Sequence, residues 1–285
     1  MEFTKMEAAG NDFVLFNGLK YVFKDYKNLA IKSCDRHYSV GGDGMMIAEK
    51  SNVADIKMIY YNSDGSRGEI CGNGIRCFSK YAYENGLVDR KNFTIETLAG
   101  IKTACLDIDD KEQVEIIKVN MGRPIFEAKK IPVTISKEKA IEEILEIEGK
   151  KIVFSSVLVG VPHTVILVDD IKDIDINGLG EKIENYPIFP RKTNVNFIEI
   201  VNRNKINIYT WERGAGRTLG CGTGSCASVI IGNLLGRLDN KVYVKTEGGE
   251  IEVELEENYQ IYMKGGANTI CTGILLDLET ELLSS

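Results

Sequence analysis

A chain of 285 residues is long for one hydrophobic core, so two domains of ordinary size are expected. With 44% hydrophobic and 27% charged residues the composition is that of a soluble globular protein, and no apolar run approaches the roughly 18 residues of a membrane span. A net charge of -7 with mixed signs argues against a nucleic-acid partner. Seven cysteines, an odd number, follow an N-terminus with no basic-then-apolar leader, which points to reduced thiols and a cytoplasmic location.

In chain order, residues 3–7 and 12–16 have β character around a Gly10-Asn11 turn and predict a hairpin. Asn28 to Arg36 has helical spacing, Gly41-Gly42-Asp43-Gly44 reads as a tight loop, and Met45 to Ala48 is an apolar run. Ile56 to Tyr61 predicts a strand, Asn62 to Ser66 a turn, and Asn73 to Glu84 a mostly buried helix that stops near Gly86. Three strands follow, at 93–96, 101–107 and 114–120. The Lys-, Glu- and Ile-rich stretch from Glu127 to Lys151 is where a domain junction and a surface helix, Lys137 to Glu146, are expected. Strands at 155–159 and 164–168, a helix at 175–184, and strands at 196–201 and 206–211 come next. A turn then leads to Cys221 and an almost wholly apolar helix, 224–235, with further strands at 241–246, 251–256 and 260–264.

Two segments in this list are versions of one device. Cys71-Gly72-Asn73-Gly74 and Cys221-Gly222-Thr223-Gly224 each put a cysteine at a Gly-x-Gly turn that opens a helix, 150 positions apart (221 less 71). Gly10 and Gly160, and the strands from Ile56 and Ile206, keep the same offset. Thr97-Leu98-Ala99-Gly100 and Thr246-Glu247-Gly248-Gly249 miss it by one residue, which one small indel explains. The chain reads as an internal duplication whose equivalent helix mouths meet across a cleft.

A cysteine at a helix N-terminus lies near the positive end of the helix dipole, which favours thiolate. The free N–H groups beside it suit a carboxylate. Two such mouths on one ligand would hold an α-carboxylate with a sulfur on each face of the α-carbon, the arrangement of a racemase. Such a pair shares one proton, so its titration is coupled.

Together with Asn62-Ser63-Asp64-Gly65, Cys71 through Cys77, Pro162-His163, Asn194 and Glu212-Arg213-Gly214-Ala215-Gly216, these motifs resemble the diaminopimelate epimerase family along essentially the whole chain. Asn73, where the related proline racemases usually have His, favours that family over theirs. The resemblance implies an α/β (α+β) fold of two pseudo-symmetric domains, each a curved, mostly antiparallel sheet around a central helix. The expected domains are 1–121 with 266–285, and 122–265. It also implies an isomerase of LL- and meso-diaminopimelate that uses no cofactor and no metal and works as a homodimer. Carried over residue by residue, Cys71 and Cys221 are the acid/base pair and His163 and Glu212 flank the thiols. Asn11, Asn62, Gly72, Asn73, Asn194, Glu212, Arg213, Gly222 and Thr223 bind substrate, with Arg213 suited to the distal carboxylate. Three positions depart from the pattern. Val161 stands where Asn usually precedes Pro-His, Arg217 where Glu usually follows Arg-Gly-x-Gly, and Gly44 where some members carry Gln. The first two bear on recognition of the substrate's far end.

Other readings fit less well. Gly222-x-Gly224-x-x-Ala227 matches a loose dinucleotide pattern but follows an eight-residue turn rather than a clean βαβ unit. Zinc would want a Cys-x-x-Cys pair or more histidines than His37 and His163. A racemase of another amino acid, such as histidine, shares the cysteine pair. An amino-acid-binding protein of the same fold would leave the cysteines as ordinary small buried residues. A Cys71–Cys221 disulfide would inactivate an enzyme of this kind rather than define its role.

Overall fold

The apolar residues of the first strands, with the continuous buried run Phe13 to Phe16, build the start of one sheet in the computed structural model, which describes residues 1–276. Residues 277–285, part of the expected N-terminal domain, lie outside the described residues. Strand β1 (Glu2–Ala8) turns at Gly10, whose φ of 83° suits glycine, into β2 (Asn11–Asn17), and the two pair antiparallel. Helix α1 (Tyr26–Cys34) starts two residues earlier than the apolar spacing predicts, because the Asp25 side chain caps it by accepting from the Asn28 N–H. Then come β3 (Gly44–Glu49), β4 (Ile56–Asn62), α2 (Gly72–Glu84), β5 (Asn92–Thr97), β6 (Gly100–Ile108) and β7 (Val114–Gly122). Strand β2 runs parallel to β3, β3 antiparallel to β4, β4 parallel to β5, and β5, β6 and β7 form a meander.

The stretch expected to hold a surface helix holds none. Lys137 to Glu143 is turn and irregular chain, and β8 (Glu143–Ile147) forms a hairpin with β9 (Lys150–Val159). The helix-forming Lys and Glu are overruled by a period-two pattern that buries Leu145 and Ile147, and by left-handed Glu148 and Gly149, which close a two-residue hairpin turn. Next come β10 (Val161–Val168), α3 (Ile176–Glu184), β11 (Asn194–Asn202) and β12 (Lys205–Glu212). The turn before the second cysteine carries β13 (Gly216–Thr218), folded back antiparallel on β12. After it lie α4 (Gly222–Leu234), β14 (Lys241–Lys245), β15 (Glu250–Leu255) and β16 (Ile261–Gly265). Last, β17 (Asn268–Ile274) pairs antiparallel with β1.

Two compact units result, Met1–Asn120 with Gly265–Ser285, and Met121–Lys264. The chain therefore passes between them at Asn120–Met121, and the expected junction region from Glu127 to Lys151 lies inside the second unit. There it supplies Ala128, Ile131, Val133, Ala140, Leu145 and Ile147 to a core shared with Phe154, Ile183 and Phe197. Within the second unit β9 pairs antiparallel with β10, β10 runs parallel to β11, β11 antiparallel to β12, β12 parallel to β14, and β14, β15 and β16 form a meander. This is the strand order of the first unit. Even the register repeats: Phe13 faces Gly44 in one unit and His163 faces Asn194 in the other, each 150 residues on.

Helix α2 packs on β1, β2, β3 and β6, and α4 on β9, β10, β11 and β15, so each unit wraps sheet around a central helix. Both helices are enclosed because few of their residues are charged. The bends after them are taken by Gly86 and Gly236, with φ of 66° and 70°. Among the described residues no helix is long and apolar enough to cross a membrane.

Candidate active site

Each helix mouth is built by its cysteine. Cys71 and Cys221 are the N-cap residues of α2 and α4, with extended backbones, φ and ψ of -126° and 123° and of -118° and 112°. Each sulfur accepts a bond from the third helical N–H, Gly74 or Gly224, at 3.4 Å. Each cysteine carbonyl accepts the next one, from Ile75 at 2.8 Å and Ser225 at 2.9 Å. Sulfur thus takes the place of the usual capping oxygen, and the N–H groups of the first turn favour negative charge on it. Gly72 and Gly222 are the first helical residues, so their N–H groups have no acceptor inside their own helices. Glycine at the third position is forced by crowding. A Cβ on Gly74 would lie 1.9 Å from Met46 Cε, and one on Gly224 would lie 2.3 Å from Asn196 Oδ1.

In the first unit the mouth is braced by a buried cation. Arg76, 1% exposed, donates to the Gly72 carbonyl at 3.2 Å, to Asn73 Oδ1 at 2.9 Å and to the Gly266 carbonyl at 3.2 Å. With its oxygen engaged there, the Asn73 amide turns its nitrogen to Asn11 Oδ1, 2.6 Å away. Asn11 in turn donates to Asp43 at 3.1 Å. Asp43 and Asp12 share the Arg36 guanidinium, and Lys5 bridges to Asp12 at 2.8 Å. Burial pushes the Asp12 pKa up, but the bonds from Arg36 and Lys5 outweigh it and hold this carboxyl well below the usual carboxylate range. Asn62, at the end of β4, accepts from the Tyr60 hydroxyl at 2.6 Å and donates to Ser66 at 2.9 Å.

In the second unit the mouth is braced by an anion. Glu212, at the end of β12, accepts from the Cys221 thiol at 3.4 Å and from the Thr218 hydroxyl at 2.7 Å. The Thr223 hydroxyl lies 3.4 Å from the same sulfur. His163, the third residue of β10, is fully buried. Asn196 directs its amide nitrogen at His163 Nδ1, 3.2 Å away, and at the Thr164 carbonyl, while its oxygen accepts from Thr210. The ring therefore carries its proton on Nε2, which has no hydrogen-bond partner among the described residues. Burial first, and the Arg213 charge second, push the His163 pKa down to about 3, so the imidazole is neutral at physiological pH. Asn194 donates to the Pro162 carbonyl at 3.0 Å and accepts the Arg213 backbone N–H at 2.8 Å. The exposed Arg213 guanidinium reaches the Arg191 carbonyl at 3.0 Å.

The expected residues thus fall into two groups: Cys71, Gly72, Asn73, Asn11 and Asn62 around one mouth, and Cys221, Gly222, Thr223, Glu212, His163, Asn194 and Arg213 around the other. The two departures in the second unit sit differently from each other. Arg217 is taken up by a two-pronged bond to Glu247 at 3.0 and 2.6 Å and lies over the Tyr209 ring, and on β13 it alternates with Thr218, the residue that reaches Glu212. Val161 is the first residue of β10 and pairs with Val159 across the Gly160 turn. Sequence reasoning missed Arg76, Thr218 and Asn196. The 150-residue register offers a signal for Asn196, since it lands on Met46, the residue that presses on the matching glycine. Among the described residues no group of three or more His, Cys, Asp or Glu is arranged to hold a metal ion.

A duplicated sheet around a central helix is an architecture also found in solved structures. A solved structure of a probable proline racemase from Agrobacterium radiobacter K84 superposes with a TM-score of 0.74 over 98% of this chain and 93% of its own, at 17% identity. The fold is shared, and at that identity the match speaks for the fold alone. Sequence narrows the class. The family model for diaminopimelate epimerase matches residues 3–127 and 155–270. The diaminopimelate epimerase of Caldanaerobacter subterraneus subsp. tengcongensis is 45% identical over 273 residues, 96% of this chain and 98% of its own length. That of Alkaliphilus metalliredigens is 44% identical over 279 residues, 97% and 98% of the two chains. The chain belongs to the diaminopimelate epimerase family and is an isomerase.

Proposed function

We propose that this chain interconverts LL- and meso-diaminopimelate without a cofactor, one of the sulfurs of Cys71 and Cys221 taking the α-proton while the other delivers its own. The observation that carries the reading is the duplicated cap, a sulfur 3.4 Å from the third helical N–H at the start of each central helix. One cysteine, as thiolate, takes the α-hydrogen as a proton, and the electron pair of the broken C–H bond stays on the substrate, spread into its α-carboxylate. The other cysteine, as thiol, delivers its proton to the opposite face of the α-carbon. One S–H bond forms as the other breaks, so the pair ends with its single proton on the opposite sulfur and the configuration inverted.

The developing negative charge is met by the N–H groups of Gly72 and Asn73 at one helix start and Gly222 and Thr223 at the other, which are fixed before the reaction begins. The Cys221 S–H directed at Glu212 supports a role for that carboxylate in holding the thiol's proton. Neutral His163 flanks the thiols, Asn11, Asn62 and Asn194 line the substrate, and the exposed Arg213 fork takes the distal carboxylate. By family resemblance the working form is a cytoplasmic homodimer, and sedimentation of the purified protein checks the stoichiometry.

The test is α-proton exchange in D2O, with the protein reduced, for LL-diaminopimelate beside single-headed amino acids that include L-histidine. Deuterium uptake confined to diaminopimelate is the expected outcome. Uptake by a single-headed amino acid instead keeps the two-thiol chemistry and reassigns the substrate. Uptake by none removes the reading.

A further inference from the structure

Glu184 occupies an unfavourable place for a carboxylate. It is the last residue of α3, where the helix dipole opposes negative charge, and it is 4% exposed. Burial alone pushes its pKa up, but three donors outweigh burial and hold it below the ordinary range. These are the Trp211 indole N–H at 2.7 Å, the Lys192 ammonium at 3.2 Å and the Gly214 backbone N–H at 3.2 Å. Two of the three belong to the segment that carries Glu212 and Arg213.

We propose that Glu184 is a positioning residue for substrate recognition, holding the Glu212–Gly216 turn in the shape that presents Arg213 to the distal carboxylate of the substrate. The proposal rests on the reading of Arg213 given above. Three successive N–H groups of the turn each have a fixed acceptor: Arg213 bonds Asn194 Oδ1, Gly214 bonds Glu184, and Ala215 bonds the Glu212 carbonyl at 3.0 Å. Gly214 and Gly216 both have positive φ, 76° and 80°, so without those acceptors the turn is as free as glycine allows. The indole that reaches Glu184 lies against Gly180 of α3, where a Cβ would come within 2.7 Å of Trp211, so the acceptor and its donor are locked to one helix. Arg213 is exposed and its guanidinium has a single backbone contact, so its starting point is set by this backbone clamp.

The clamp acts on Arg213 rather than on the reacting sulfur. Glu212 has separate supports, its pairing with Gly216 across β12 and β13 and its bond from Thr218. Loss of Glu184 therefore shows in substrate affinity and leaves proton transfer at Cys221 in place.

Glu184→Gln keeps the shape, removes the charge and turns one acceptor into a donor facing a donor. Its expected signature is a roughly tenfold rise in KM for diaminopimelate with kcat within about threefold of wild type. Amide hydrogen exchange at Gly214 should quicken, and adding Arg213→Ala should raise KM no further than Arg213→Ala does alone. If Glu184→Gln fails to fold, Trp211→Phe, which deletes one donor and keeps a ring, should give the same KM-only change at smaller size. An unchanged KM, a fall in kcat at constant KM, or unaltered Gly214 exchange overturns the proposal. Wild-type protein idle on diaminopimelate overturns the substrate reading and this proposal with it, whereas active wild type beside an unaffected Glu184→Gln overturns the proposal alone.

Discussion

Cys71 and Cys221 cap their helices with the same backbone geometry and the same 3.4 Å bond, yet the side chains that brace the two mouths differ in kind. At matching positions 150 residues apart, Asn62 answers to Glu212, Asn73 to Thr223, Arg76 to Cys226, Phe13 to His163 and Met46 to Asn196. One mouth rests on a buried guanidinium bonded to the Asn73 amide oxygen and to two carbonyls. The other has a carboxylate bonded to the sulfur itself. Duplication conserved the frame that makes each sulfur a cap and let the surrounding charges diverge. The proton shuttle proposed above, which begins with one thiol and one thiolate, would use that divergence.

The comparison breaks most severely if either sulfur proves dispensable. Cys71→Ala and Cys221→Ala are each expected to lower epimerisation by at least about a thousandfold while the circular dichroism spectrum is retained. A variant of either cysteine that turns over at the wild-type rate removes the two-thiol mechanism. The asymmetry itself is sharpened by Glu212→Gln, which keeps an acceptor near Cys221 and deletes its charge. A fall in kcat of about a hundredfold, with a displaced pH–rate profile, is expected. Asn62→Asp at the matching position should not reproduce that profile.

A smaller effect, on stability, separates the two braces. Arg76→Met removes the guanidinium's bonds to the Asn73 oxygen and to two carbonyls and should cost about 3 kcal/mol in urea unfolding, whereas Cys226→Ala should cost about 1 kcal/mol. Equal losses at the two positions would mean that the guanidinium is only filling space.

The least effect is expected in acid. Asp12 has its pKa depressed in the folded chain, so it contributes stability that is fully present above its unfolded value of about 4 and is lost as pH falls through the lower folded one. Its counterpart in the second unit is Pro162, which does not titrate. Asp12→Asn should therefore flatten the decline of unfolding free energy below about pH 4, and an unaltered acid profile would count against the Arg36–Asp12–Lys5 cluster as its source.

Much of this was legible in the sequence because glycine and cysteine mark geometry directly. The 150-residue register, the two cysteine caps and most strands on the faces of α2 and α4 follow from where Gly-x-Gly turns interrupt apolar runs. What was hidden has identifiable causes. Strand β8 looked helical because a Lys- and Glu-rich run, Lys137 to Glu143, leads into it, and only the Glu148–Gly149 turn reveals its pairing. Strand β17 is exposed at nearly every position and has no alternation to read, so only its pairing with β1 defines it. The Arg76 brace was masked because a cation in an apolar helix reads as an exposed position, and here its three nitrogens are turned inward to oxygens that only the fold brings together.

The pairing of β17 also bears on how the chain comes off the ribosome. Strand β1 sits between β2 and β17, matching Glu2 with Ile274, and the Met1 carbonyl accepts the Leu275 N–H at 2.8 Å. Residues 2–8 thus wait for residues 268–274 before one edge of their sheet is closed, while the second unit, Met121–Lys264, is complete as soon as its own continuous stretch has emerged. The order of synthesis and the order of completion are reversed, and during translation the open side of β1 is an unpaired strand edge of the kind that recruits other chains.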